Sequence, residues 1–160
     1  LMAIVAMNEV SAGAILFYAA AYSVGSLGAF SVLHGVSKGG NEQLTALNGL
    51  GKRQPVVGIF LSLVMFSLAG IPPVAGFFAK YYLFFGAFKA GYSWLLLVAI
   101  LSSLIGVFYY FRVIYALFKE DSGKGEEKLL DGGHLTLLIL AGLLTLVIGL
   151  APGLIQSLLL

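Results

Sequence analysis

Long apolar segments alternate along the chain with short polar connections. Four of these segments, at residues 11–36, 56–88, 94–118 and 135–150, reach or approach the length of about 20 residues that a helix needs to cross a bilayer. The pattern therefore predicts an all-α, multi-pass bundle of transmembrane helices. Residues 1–7 form a shorter apolar stub, which we expect to be the end of an earlier helix, in a chain that is the C-terminal part of a larger protein.

The composition also places the chain in a membrane, since 60% of its residues are hydrophobic, only 10% are charged and the mean hydropathy is +1.02. The sequence contains no cysteine and no Cys/His spacing typical of a metal site, so we expect neither a thiolate-bound iron–sulfur cluster nor another metal. The net charge of +2 arises from basic residues that fall mainly in the connections. They indicate membrane topology better than they indicate nucleic-acid binding, and no nucleic-acid partner is expected.

The basic residues predict the orientation of the helices. Lys89 follows the second segment, whereas the connections after the first and third segments contain the larger group: Lys38, Lys52, Arg53, Lys119, Lys124 and Lys128. By the positive-inside rule, connections 37–54 and 119–134 are expected on the cytoplasmic side of the inner membrane, with the C-terminus on the opposite side. Within the first connection, the spacing of three leucines predicts a short amphipathic helix on the membrane surface: Leu44, Leu47 and Leu50.

The second apolar segment is too long for one straight membrane helix. Roughly 32 residues at about 1.5 Å each would span about 48 Å, against a hydrocarbon core of about 30 Å. Pro72 and Pro73 have no N–H, so a break here deprives the carbonyls of Leu68 and Ala69 of their usual donors. Such gaps are tolerated only where protein or water covers them, and transporters use them as ion sites. We therefore expect these residues to form a break that lines water: Ser67, Leu68, Ala69, Gly70, Pro72, Pro73, Gly76 and Tyr81.

Lys80 follows this interruption inside the same apolar segment. A cationic side chain near the middle of a bilayer costs about 2.5–3.5 kcal/mol on insertion scales, so intramembrane lysines usually face a bundle interior or a wet cavity. We therefore expect Lys80 to lie on an ion or proton path. The alternative is that its long side chain merely reaches the outer interface. His34, at the end of the first segment, is a second candidate for proton transfer, although histidines there more often cap or solvate a helix end.

Four stretches of the sequence resemble a known family. Residues 67–84, SLAGIPPVAGFFAKYYLF, resemble the discontinuous twelfth helix of the antiporter-like subunits of respiratory complex I, which share ancestry with multisubunit sodium/proton antiporters. Residues 22–30, 47–55 and 109–113 narrow the resemblance to the subunit N family of NADH:quinone oxidoreductase, the counterpart of mitochondrial NADH dehydrogenase subunit 2. The resemblance extends over nearly the whole chain.

The resemblance implies that the four segments correspond to the eleventh to fourteenth helices of the family, and that Lys80 is its proton-transferring lysine. It implies a non-redox membrane subunit of a translocating enzyme, in contact with lipid, other membrane subunits of complex I and H⁺, or else Na⁺. The cofactors, which are NADH, flavin, iron–sulfur clusters and quinone, are then expected in partner subunits. Two alternatives stay open: a subunit of a sodium/proton antiporter, and a non-conducting scaffold for membrane assembly.

Overall fold

The computed structural model describes residues 4–5, 9–37, 44–120 and 130–153. It contains a long helix α1 (Glu9–Val36), a 3₁₀ turn (Leu44–Leu47), a short helix α2 (Leu50–Arg53), and four further helices: α3 (Pro55–Ala69), α4 (Ala75–Lys89), α5 (Ser93–Phe118) and α6 (Gly132–Leu150). No strand occurs in the described ranges. The prediction of an all-α membrane bundle is confirmed.

Within the described residues, three helices are long and apolar enough to cross a membrane: Ala12–Val36, Ser93–Phe118 and Gly132–Leu150. The remaining predicted span, 56–88, is divided into α3 and α4 by residues 70–74, which confirms the prediction of one discontinuous helix. Helix α6 begins before the predicted residue 135 because Asp131 caps it. The Asp131 carboxylate accepts a hydrogen bond from the backbone N–H of His134 at 3.1 Å, which supplies an exposed donor of the first turn with a partner.

Helix α1 packs against α3, α4 and α6. Its small residues allow this close approach: a Cβ added to Gly28 would lie 2.7 Å from the Cβ of Ala141, and one added to Gly25 would lie 2.9 Å from Leu68. Membrane helices associate largely through such packing, because lipid offers no hydrophobic driving force between them. Large apolar side chains fill the core around these contacts: Val32, Val57, Leu61, Val64, Leu117 and Leu138.

The prediction of an amphipathic helix on the membrane surface is wrong for the region that begins at Leu44. This region forms the 3₁₀ turn and α2, and both Leu47 and Leu50 are buried in the protein core. The Gly49 N–H donates to the Ala116 carbonyl at 3.3 Å, which attaches the region to the end of α5. The leucines therefore cover a helix of the same chain instead of the bilayer.

The described parts of the two polar connections lie at the same end of the bundle. The Gln54 side chain accepts a hydrogen bond from the backbone N–H of Leu130 at 2.9 Å and donates to the Leu130 carbonyl at 3.5 Å. Lys52 Nζ also lies 3.9 Å from Glu120 Oε1. The region after α1 thus contacts both ends of the connection between α5 and α6.

Candidate functional site

The gap between α3 and α4 begins with a glycine that terminates α3 and bonds back to its last turn. Gly70 adopts a left-handed conformation with φ of 84°, which ends α3. Its N–H donates to the carbonyls of Phe66 and Ser67, both at 3.0 Å, and the Ile71 N–H also donates to Phe66. Glycine takes this conformation without the steric cost that a Cβ would impose. The following bond between Pro72 and Pro73 is cis.

Protein covers the gap closely on two sides. Ser67 is only 1% exposed, and its hydroxyl accepts a hydrogen bond from the Gly76 N–H at 3.1 Å, which joins α3 to the first turn of α4. A Cβ at Gly76 would overlap the Ser67 carbonyl, and one at Gly149 of α6 would overlap the Pro73 carbonyl. Two glycines therefore allow neighbouring backbone to approach the break closely and cover it. Irregular backbone in a membrane is tolerated where protein buries it in this way.

Lys80 supplies the hydrogen-bond donor that the proline removes. Its ammonium group donates to the Ala69 carbonyl at 2.7 Å, and this is the carbonyl whose helical donor would have been the N–H of residue 73. A second hydrogen bond runs from Lys80 Nζ to Ser103 Oγ on α5 at 2.9 Å. Lys80 therefore connects the broken end of α3 to the middle of α5.

Lys80 also forms part of the wall of a cavity of about 560 Å³ between α1, α4 and α5. The polar groups that line this cavity come from all three helices: Tyr18, Tyr22, Lys80, Ser102, Ser103 and Tyr110. The rings of Tyr18 and Tyr22 stack with their centroids 5.9 Å apart. A second cavity, of about 10 Å³, lies between Lys80, Ser67 and Gly76 and has room for about one water molecule. Lys80 thus borders both the break and a larger amphipathic space.

The chemistry of this site is that of one ammonium group among neutral oxygens. Both acceptors of Lys80 are uncharged, and within the described ranges no carboxylate accepts a hydrogen bond from it. In the same ranges, no group of three or more His, Asp or Glu side chains is placed to hold a metal ion. Serine and tyrosine hydroxyls both donate and accept hydrogen bonds, so the cavity wall is able to order water next to the lysine.

The structure brings together most of the residues expected at the break: Ser67, Leu68, Ala69, Gly70, Pro72, Pro73 and Gly76. Tyr81 lies elsewhere. It is 49% exposed and stacks between Phe77 and Phe85, with ring centroids 6.4 and 6.0 Å away. One residue along a helix is a rotation of about 100°, so the neighbour of Lys80 points away from the cavity.

His34 is separate from the Lys80 cavity and belongs to the last turn of α1. It is exposed, and its ring lies 5.3 Å from that of His134 at the start of α6. His134 Nδ1 contacts the carboxylate of Asp131, the residue that caps α6. A role of His34 in proton transfer stays a prediction.

Sequence reasoning missed the side chains on the facing helices: Tyr18, Tyr22, Ser103 and Tyr110. Two signals were present. Ser102 and Ser103 form a pair of hydroxyls near the centre of the span 94–118, and Tyr18 and Tyr22 are four residues apart, which places them on one face of a helix. Neither pattern says which neighbouring helix the hydroxyls face, so only the packed structure connects them with Lys80.

Comparison with known proteins shows which family this chain resembles. Residues 1–106 match the family described as NADH:quinone oxidoreductase/Mrp antiporter, TM. NADH-quinone oxidoreductase subunit N of Trichlorobacter lovleyi is 42% identical over 150 residues, which cover 91% of this chain and 30% of the relative. Subunit N 2 of Acidobacterium capsulatum is 38% identical over 162 residues, covering 98% and 33%. The chain therefore spans about a third of the length of these curated relatives.

A solved structure shares the fold. A chain in the structure of respiratory complex I from Thermus thermophilus with bound aureothin is 32% identical, with a TM-score of 0.74, and the match covers 91% of this chain and 34% of that chain. These matches confirm the resemblance to subunit N that was inferred from residues 67–84, 22–30, 47–55 and 109–113. The chain belongs to the NADH:quinone oxidoreductase/Mrp antiporter transmembrane family.

Proposed function

We propose that this chain contributes to proton translocation as part of a membrane subunit of NADH:quinone oxidoreductase, with Lys80 as its main proton-transfer residue. The observation that carries the proposal is the position of the Lys80 ammonium, which is bound to the orphaned Ala69 carbonyl and to Ser103 at the wall of a cavity. An interfacial lysine would instead extend into water and leave the broken helix end without this donor. The family match and the subunit N relatives support the same function.

The mechanism is electrostatic. Two neutral oxygens hold the ammonium, so no counter-ion among the described residues fixes its charge, and charges at short range act strongly in a medium of low dielectric constant. A positive charge that arrives nearby favours release of the lysine proton, and a negative charge favours its uptake. Redox events in partner subunits would supply this change of charge along a chain of buried ionisable groups. NADH, flavin, iron–sulfur clusters and quinone belong to those partners in this proposal.

The orientation of the chain in the inner membrane follows from its connections. The contacts of Gln54 with Leu130 and of Lys52 with Glu120 support one shared side for the two polar connections, where most of the basic residues lie. We place this side in the cytoplasm by the positive-inside rule. The neighbours of the chain are then lipid and other membrane subunits of complex I, and Lys80 lies between the two surfaces.

The test measures quinone reduction and proton pumping together, in the intact complex reconstituted into liposomes, with the substitution made in the full-length subunit. Lys80→Ala is expected to reduce coupled pumping about 100-fold or more, because a positioned proton-transfer group typically contributes about 10²–10⁴-fold. Lys80→Arg is expected to fail as well, because a guanidinium keeps its proton. Lys89→Ala, which removes an exposed lysine from the same helix, is the matched control and should pump normally.

Three outcomes of this experiment separate the alternatives. Unimpaired pumping by Lys80→Ala in an assembled complex contradicts the proton-transfer role and favours a scaffold. The family description also includes antiporters, so pumping is measured with and without sodium. Transport that stops without sodium, or sodium/proton exchange that persists without the redox subunits, supports an antiporter subunit instead.

A further inference from the structure

Ser103 is the only side chain of α5 that hydrogen-bonds Lys80 in the described structure. Helix α5 is otherwise peripheral in the described structure: its buried residues are Ala116 and Leu117, near its end, and its apolar membrane-spanning window contains none. Packing therefore explains little of what a hydroxyl does at the middle of this helix. The 2.9 Å contact with Lys80 gives it a specific partner on α4.

We propose that Ser103 is the positioning residue for Lys80, holding the amine at the cavity wall in both of its protonation states. This inference rests on the proton-transfer function proposed above. Ser103 does not itself exchange a proton with the transported pool in this proposal. Its hydroxyl acts by fixing the position of the Lys80 amine through a hydrogen bond.

The chemistry of the two acceptors differs in a way that requires a hydroxyl. A protonated lysine has three N–H donors and no acceptor, so both the Ala69 carbonyl and the Ser103 oxygen accept from it. After Lys80 releases its proton, the neutral amine has two N–H donors and one lone pair. The carbonyl still accepts one N–H, but only a hydroxyl is able to rotate and donate to the lone pair. Ser103 thus matches both states, and an apolar side chain matches neither.

The same geometry directs the exchangeable proton. Ala69 and Ser103 occupy two of the three ammonium donors, and the third is left for water in the cavity of about 560 Å³ that Lys80 borders. The phenols of Tyr18, Tyr22 and Tyr110 line the same cavity. Loss of the Ser103 hydroxyl would let the flexible lysine stem turn away from this water, because one of its two anchors is gone.

The test uses the intact complex in liposomes and compares Ser103→Val with Ser103→Thr. Valine and threonine have nearly the same volume and differ in the hydroxyl. A packing defect caused by side-chain size would therefore appear in both variants. We expect Ser103→Val to lower the rate of coupled turnover about five- to tenfold, the effect of losing one hydrogen bond of typical net strength. Ser103→Thr is expected to retain most of the rate. Ser102→Ala, at the neighbouring cavity position without a hydrogen bond to Lys80, is expected to have a smaller effect than Ser103→Val.

A double variant separates positioning from packing. In a Lys80→Ala background, Ser103→Val is expected to cause no further loss, because its partner is already absent. An equal additional loss there, or equal rates for Ser103→Val and Ser103→Thr, would overturn the positioning role. If Lys80→Ala is impaired while Ser103→Val is normal, this inference alone is wrong. If Lys80→Ala pumps normally, the proposed function itself is wrong.

Discussion

Lys80 and Lys89 belong to the same helix, and their surroundings are opposite. The ammonium group of Lys80 bonds to the Ala69 carbonyl and Ser103 at a cavity wall, among helices α3, α4 and α5. Lys89 is exposed in the last turn of α4, and its Nζ lies 4.8 Å from the centroid of the Phe85 ring. One lysine replaces a missing backbone donor, and the other rests on an aromatic side chain at a helix end.

The difference shows that the neighbours of a charged residue indicate its role better than the charge does. A cation over an aromatic ring at an exposed helix C-terminus gains about 0.5–1 kcal/mol and is already well solvated. A half-buried ammonium gives up much of its water and depends on the oxygens that remain. Its protonation therefore responds to any change in those oxygens or in nearby charge.

The largest effect is expected from Gly76→Ala, which disrupts the contact of α4 with Ser67 of α3. The added methyl group would overlap the Ser67 carbonyl, and backbone cannot move aside as a flexible side chain can. We expect α3 and α4 to separate at the gap, with a loss of stability of about 3 kcal/mol or more. Thermal unfolding of the purified complex and the amount of assembled subunit measure this loss.

The matched control for Gly76→Ala is Gly106→Ala. A Cβ at Gly106 meets only Tyr110, at an ordinary contact distance of 3.8 Å, and alanine favours the helix. Equal stability of the two variants would contradict the role given to the Ser67–Gly76 contact.

An intermediate effect is expected from Gly70→Ala, which displaces Lys80 and strains the backbone at the end of α3. The new Cβ would lie 2.7 Å from Lys80 Cδ and 3.1 Å from Nζ, so the lysine side chain must shift, which disturbs its two hydrogen bonds. The left-handed backbone adds a cost of about 1–2 kcal/mol. We expect the complex to assemble and its coupled pumping to fall several-fold, as measured by pumping per quinone reduced.

Gly91→Ala separates the two consequences of that change. Gly91 has a similar φ of 81°, but nothing lies within 4 Å of its added Cβ. It therefore shares the backbone cost and leaves Lys80 untouched. Normal pumping by Gly91→Ala with impaired pumping by Gly70→Ala would assign the loss to the displaced lysine, whereas equal impairment would assign it to backbone strain.

The smallest effect is expected from Lys89→Met, which removes the second lysine of the comparison. Its contact with Phe85 is exposed, so we expect a change in stability of less than about 1 kcal/mol and unchanged pumping. Differential scanning calorimetry of the complex measures the change in stability, and the pumping assay measures the activity. A loss of pumping comparable to that of Lys80→Ala would end the distinction between the two lysines.

The sequence was sufficient to predict the features that depend on neighbouring residues. An apolar segment too long for the bilayer, two prolines and a lysine together predicted the discontinuous helix, and the loss of a donor for the Ala69 carbonyl follows from Pro73 alone. The partner of Lys80 across the bundle was not predictable in this way. Ser103 is 23 residues away in sequence, and its contact depends on how α5 is rotated about its axis.

Two predictions failed or changed for physical reasons of the same kind. Leu47 and Leu50 have the spacing of a surface helix, yet α5 lies where the bilayer was expected and buries them. Tyr81 is next to Lys80 in sequence, but helical rotation places it in a stack with Phe77 and Phe85. Periodicity identifies a face of a helix, and only the packed neighbours determine what that face meets.

The hydrogen bond from Lys80 to Ala69 also changes what the end of a helix is able to do. A peptide N–H in that place would be a permanent part of the backbone, indifferent to voltage and to the charge of its surroundings. A titratable amine forms a hydrogen bond whose strength depends on its charge. When the amine releases its proton, its hydrogen bond to the last turn of α3 persists but weakens, so chemistry at one side chain changes how firmly the main chain is held.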